Sequence, residues 1–131
     1  MKSSMTITKF CLLIISSTLF MPLAKGQSAA PIDWKETSVD LGKTAINNPV
    51  TVEFTFKNPG MMPLIITDVK PSCGCTVADY PKQPIGSGQE GKIKVTYDAK
   101  ISGFYNKTIS VYSNSEDKVT ELYIKGEIVN Q

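Results

Sequence analysis

The 131-residue chain contains no histidine and no arginine. Those absences exclude Ser-His-Asp and Cys-His nucleophilic machinery, histidine-ligated zinc or haem, and a bidentate arginine clamp on phosphate. Long apolar runs are missing too. The longest, Phe10 to Phe20, holds 11 residues and is interrupted by Ser16, Ser17 and Thr18, whereas a spanning helix takes about 20. Cysteine is scarce, at three, and tryptophan is single. The length leaves room for one hydrophobic core and no second domain.

What is present begins with an address. Lys2 and Lys9 precede the short apolar run, and Ala24 and Gly26 supply small residues after it. This order of basic start, apolar centre and small residues predicts a secretory signal peptide over residues 1–26, cut before Gln27. Cys11 does not read as a lipid-anchor cysteine, because the apolar run follows it instead of preceding it. Removal of Lys2, Lys9 and Lys25 leaves 11 Lys against 12 acidic residues in a mature chain of 105 residues. The near-neutral balance carries no nucleic-acid footprint. With no further run long enough to cross a membrane, the product is expected to be extracytoplasmic, periplasmic or secreted, without an anchor.

Residues 27–131 show no apolar stripe at helical spacing. Alternation with a period of two recurs instead. Val52, Phe54 and Phe56 alternate with Glu53, Thr55 and Lys57, and Ile93, Val95 and Tyr97 with Lys92, Lys94 and Thr96. Ile109 and Val111 alternate with Ser110 and Tyr112, and Leu122 and Ile124 with Glu121 and Tyr123. A more continuously apolar strand is expected near Leu64 to Val69 and a weaker one near Val39 to Leu41. Turn signals separate them at Asn47-Asn48-Pro49, Asn58-Pro59-Gly60, Gly86-Ser87-Gly88 and Ser113-Asn114-Ser115. About seven short strands with polar turns predict an all-β, immunoglobulin-like antiparallel β-sandwich. The connection from Ala78 to Glu90, rich in Pro and Gly, is expected to cross between the sheets.

Two blocks, Pro71-Ser72-Cys73-Gly74-Cys75-Thr76-Val77 and Gly88-Gln89-Glu90-Gly91 followed by Lys92 to Asp98, resemble a family of secreted bacterial domains, the domain of unknown function fifteen seventy-three. Phe54 to Gly60, Lys107 to Asn114 and Ile124 to Glu127 are similar to it as well, so the resemblance covers about Val39 to Val129. It implies an immunoglobulin-like fold of the pilus-chaperone and ciliary kind, and no established activity, substrate or partner. Aromatic residues expected near Val39-Asp40-Leu41-Gly42 are absent, which implies different packing of the first strand.

Cys73 and Cys75 are the candidate site. In a flat strand residues two apart stand about 6.6 to 7 Å apart, at the edge of disulfide range, and Gly74 lets the backbone bend to shorten that distance. A local disulfide or two half-buried thiols shaping a strand end is one reading. Thiol-redox chemistry is a second, with Lys70 lowering and Asp68 and Asp79 raising a thiol pKa. Cu(I) binding is a third. Two thiolates suit that ion, but Met61 and Met62 fall at the far end of the intervening strand, and zinc would need carboxylates such as Asp79. Tyr112 and Tyr123 are expected as an exposed aromatic pair. Asn106-Lys107-Thr108 matches a glycosylation triplet of little weight. Nothing spaces Ser, Asp and Glu as a catalytic set, and no cofactor is implied. The leading expectation is a non-enzymatic envelope module that binds another protein or envelope component, with thiol-redox or Cu(I) handling by Cys73 and Cys75 as the alternative.

Overall fold

A computed structural model describes residues 29–131. The expected signal peptide, residues 1–26, lies outside them. The alternating stretches become strands β1 (Asp33–Trp34), β2 (Ser38–Ala45), β3 (Val50–Lys57), β4 (Ile66–Pro71), β5 (Thr76–Asp79), β6 (Glu90–Tyr97), β7 (Gly103–Ser113) and β8 (Val119–Val129). They form two four-stranded sheets, ordered β1-β3-β6-β5 and β2-β8-β7-β4. This is the immunoglobulin sandwich order, with the first strand divided between the sheets. The division is abrupt. Lys35 N–H donates to Thr55 C=O at 3.0 Å in one sheet, and Thr37 C=O accepts from Tyr123 N–H at 2.8 Å in the other.

The alternation phase places the core correctly. Phe54, Phe56, Ile93, Val95, Ile109, Val111, Leu122 and Ile124 are all buried between the sheets. Each strand pays its apolar residues into one face, and area removed from water supplies the main favourable term. Tyr97 and Tyr105 meet from opposite sheets, with ring centroids 4.4 Å apart.

Eight strands, one of them only two residues long, agree with the expectation of about seven. Two expectations need correction. The weak strand extends over Ser38–Ala45 and pairs parallel with β8, so the sandwich is not wholly antiparallel. Period-two alternation is the same in both pairings, which is why it cannot distinguish them. The Ala78 to Glu90 segment is no crossover. Its first two residues end β5, and the remainder joins β5 to β6, which are neighbours in one sheet. The chain changes sheets earlier, between β4 and β5, where Cys73-Gly74-Cys75 lies.

Asn58 holds the long connection in place. It is fully buried, yet all its polar groups are satisfied. Its Nδ2 donates to Met62 C=O at 2.7 Å and Ile85 C=O at 2.9 Å, and its Oδ1 accepts from Gly60 N–H at 3.0 Å. Its own N–H donates to Gln89 C=O at 2.9 Å, and its C=O accepts from Gly88 N–H at 2.7 Å. One side chain thus ties the β3–β4 and β5–β6 connections together. Leu64 and Ile85 complete the tie as a two-way backbone bridge.

Candidate functional site

Cys73 and Cys75 form a disulfide, with Cα atoms 5.3 Å apart. The separation is shorter than a flat strand allows because the segment turns at Gly74 instead of continuing β4. It falls inside the ordinary disulfide range. Both cysteines are half-buried. Thr76, buried behind them, places Oγ1 3.7 Å from Cys73 Sγ and 3.9 Å from Cys75 Sγ. The turn is anchored to both sheets: Ser72 N–H donates to Thr108 C=O at 2.8 Å, and Cys75 C=O accepts from Asp98 N–H at 3.0 Å.

The groups expected to tune these sulfurs are engaged elsewhere. Lys70 pairs with Asp68 at 3.7 Å and lies 5.4 Å from the Tyr112 ring centroid. Asp79 Oδ1 accepts from Tyr80 N–H. Met61 and Met62 are exposed on the connection preceding β4, and the cysteines follow that strand. Among the described residues no group of three or more Cys, Asp or Glu side chains gathers to hold a metal. Tyr112 and Tyr123 do not pair. Tyr112 stands opposite Val119 and Tyr123 opposite Thr108, and the Tyr123 hydroxyl donates to Glu121 at 2.5 Å. Asn106-Lys107-Thr108 sits inside the β7–β8 ladder.

A second candidate is a sheet edge that residue patterns did not reveal. In an antiparallel ladder, alternate residues point their N–H and C=O groups to opposite neighbours. The Asp98–Cys75 hydrogen bond fixes the phase: Lys94, Thr96 and Asp98 address β5. Gly91, Ile93, Val95 and Tyr97 therefore address β3, through their partners Phe56, Phe54, Val52 and Val50. It follows that Thr51, Glu53 and Thr55 direct their backbone groups outward. The Lys35-to-Thr55 hydrogen bond agrees with that phase. β1 covers only Phe56 and Lys57 in the ladder. Thr51 and Glu53 therefore present two N–H and two C=O groups with no strand beside them among the described residues. The other edges are better guarded. β2 carries a bulge between Asp40 and Lys43, β4 is bulged and ends in Pro71, and β5 has four residues. Bulges, prolines and short length all discourage strand pairing.

Residues 32–128 match the family model described as protein of unknown function (DUF1573). The chain belongs to that family. The match takes in β1, which precedes the Val39 to Val129 stretch expected from motifs. In this DUF1573 domain the divergent first strand keeps Val39 and Leu41 half-buried against the core and bulges at Gly42. No curated protein sequence matches the chain. Among solved structures it is similar to a protein of unknown function from Porphyromonas gingivalis W83 (TM-score 0.65, 16% identity, 76% of this chain and 46% of that one). It is also similar to the ASH / PapD-like domain of human CEP192 (0.62, 10%, 79% and 89%). A third is the YadV chaperone (0.56, 18%, 74% and 51%). The chain spans less than half of the first of these proteins. At such identities the likeness establishes the β-sandwich fold and nothing further.

Proposed function

We propose that this DUF1573 protein is a non-enzymatic, extracytoplasmic binding module whose protein partner adds a strand to the open half of β3. The observation that supports it most is the row of outward N–H and C=O groups at Thr51 and Glu53. An extended peptide lying in line with β1 would satisfy all four, which is the backbone basis of strand addition. The basic start, short apolar run and Ala24-x-Gly26 of the first 26 residues support export. Intact mass of the extracytoplasmic product is expected to equal residues 27–131.

The test uses the edge itself. Glu53→Pro removes an N–H that faces away from β6, so the sheet loses no ladder bond, and proline is tolerated at such edge positions. A photo-crosslinking residue at Thr51 is expected to give a discrete adduct in the host's envelope extract, and Glu53→Pro is expected to abolish it while leaving the melting transition in place. An adduct undiminished by Glu53→Pro sinks the reading.

The Cys73–Cys75 disulfide favours a second reading, a thiol-redox protein or, when reduced, a Cu(I)-handling one. Thiol titration and metal analysis of the protein as isolated separate the two. Stoichiometric copper, or a substantial reduced fraction, supports the second.

A further inference from the structure

Lys107 is a half-buried lysine turned into the sandwich. On β7 it shares the inward face with Tyr105, Ile109 and Val111, and it stands opposite the buried Ile124 of β8. Its Nζ reaches toward the other sheet and lies 5.9 Å from the centroid of the Tyr97 ring on β6. Among the described residues it pairs with no carboxylate. Drawing a cation away from water costs free energy, and one aromatic face at the limit of its range offsets little of that.

The disulfide turn spans the same gap between the sheets, one residue away at each end. Ser72 is fastened to Thr108, the neighbour of Lys107, by N–H to C=O at 2.8 Å and by Thr108 N–H to Ser72 Oγ at 3.2 Å. Cys75 C=O accepts from the N–H of Asp98, the neighbour of Tyr97, and Thr76 stands opposite Tyr97. The crossing from Lys107 to Tyr97 and the crossing from Ser72 through Cys75 to Asp98 therefore run side by side. The two sulfurs differ along it. Cys73 lies at the Lys107 end. Cys75 lies at the Asp98 end and packs against the apolar core. Burial raises the Tyr97 phenol and the Asp98 carboxylate adds to it, so that negative charge sits at the Cys75 end. Other ionisable groups do not favour either sulfur. Lys70 and Asp68 pair with each other on the outer face of β4, Asp79 accepts from Tyr80 N–H, and Tyr97 and Tyr105 stay neutral below about pH 10.

We infer that the pair is polarised: Cys73 is the nucleophilic sulfur, its thiolate favoured by the Lys107 ammonium, and Cys75 is the resolving one. This rests on the thiol-redox reading and names the chemistry of that site, exchange with a disulfide substrate. Once an external dithiol has reduced the bridge, the Cys73 thiolate attacks one sulfur of the substrate disulfide. A mixed disulfide forms, and the other substrate sulfur leaves as a thiolate. Cys75, its proton given to water, then attacks Cys73 Sγ. The 73–75 bridge forms again and the second substrate thiolate leaves, so the pair loses two electrons and the substrate gains them. A cation beside Cys73 raises its thiolate population, while an apolar wall and a carboxylate keep Cys75 protonated until the mixed disulfide exists.

The test is the pH profile of alkylation by iodoacetamide in two exported single-thiol variants, Cys75→Ser, which keeps Cys73, and Cys73→Ser, which keeps Cys75. Intact mass verifies that Cys11 has left with residues 1–26. Cys73 is expected to titrate about one unit or more below Cys75 and to react about fivefold faster or more at pH 7. Adding Lys107→Met to the Cys73-bearing variant is expected to remove that advantage, and Lys107→Arg to keep it. A purely structural role for Lys107 would move the urea midpoint and leave the thiol profile in place. Equal profiles for the two thiols overturn the inference, as does a Cys73 profile that Lys107→Met leaves unchanged. The single-thiol variants hold no bridge, so this failure is distinct from that of the redox reading, which falls if the wild-type bridge stays closed to dithiol in the native state.

Discussion

Phe56 lies across Gly91 of the neighbouring strand, its directly opposed partner, so closely that a Cβ at 91 would stand 2.5 Å from the ring's Cζ. Trp34 covers the other side of the ring, with centroids 5.1 Å apart. An aromatic ring thus fills the place of a missing side chain and joins β1, β3 and β6. Gly126 and Tyr105 repeat the arrangement in the second sheet.

Phe56→Ala is therefore expected to cost about 3 to 5 kcal/mol, because it opens a cavity at a fully buried site and strips Trp34 of its contact. Gly91→Ala is expected to cost about 1 to 3 kcal/mol by overpacking against the ring. Urea unfolding gives both values. The two residues touch, so the double variant should deviate from additivity. Additive losses would show that the ring and the glycine are independent.

Asn58 makes a sharper prediction than any apolar residue. Asn58→Ala leaves Met62 C=O without its side-chain donor and frees Gly60 N–H, at a cost of about 2 to 4 kcal/mol. Asn58→Asp is expected to be worse near neutral pH, since it turns a carboxylate toward the two carbonyl oxygens that Nδ2 now serves. An Asp variant as stable as the parent would refute the hub.

Stability is expected to fall at alkaline pH through the stacked tyrosines. Burial raises the Tyr97 phenol above its usual 10.0, aided by Asp98. Burial likewise raises Tyr105, with Tyr97 and Asp40 adding to it. A raised acid favours the neutral form in the folded state, so its contribution is intact below the unfolded pKa and is lost as pH climbs through the folded values. Urea midpoints should hold steady to about pH 9 and drop above about pH 10, and Tyr97→Phe should soften the drop. An unchanged alkaline profile in Tyr97→Phe would assign it to other groups.

The sheet faces were legible because alternation directly records which side chains meet the core: Phe54 through Ile124 sit where the pattern put them. Pairing was not. Val39 and Leu41 have the same period whether β2 runs parallel or antiparallel to β8, and Thr76-Val77-Ala78-Asp79 is too short to stand out from its loop. Asn58 read as a turn residue, since nothing local distinguishes an exposed asparagine from one whose partners come from residues 62 and 85. The Thr51 and Glu53 edge lay hidden for a related reason. Whether a backbone group has a neighbour depends on where β1 ends, not on the residue that carries the group. Cys73 and Cys75 stood out by chemistry, but their role did not follow from spacing.

The last prediction concerns that pair. The ring closed by residues 73 to 75 is three residues long, so loop-closure entropy caps its contribution at about 1.6 kcal/mol. The surrounding hydrogen bonds are independent of the sulfurs: Ser72 N–H to Thr108 C=O and Asp98 N–H to Cys75 C=O use backbone atoms alone. A Cys73→Ser, Cys75→Ser variant is thus expected to fold and to lose no more than about 1.6 kcal/mol in urea. The half-buried wild-type bridge is expected to open under mild dithiol while the sandwich stays folded, as exposed bridges do. Loss of several kcal/mol in the double variant would make the disulfide a structural staple. A bridge that resists reduction until global unfolding would remove the basis for the redox reading, because a switch must open within the native state.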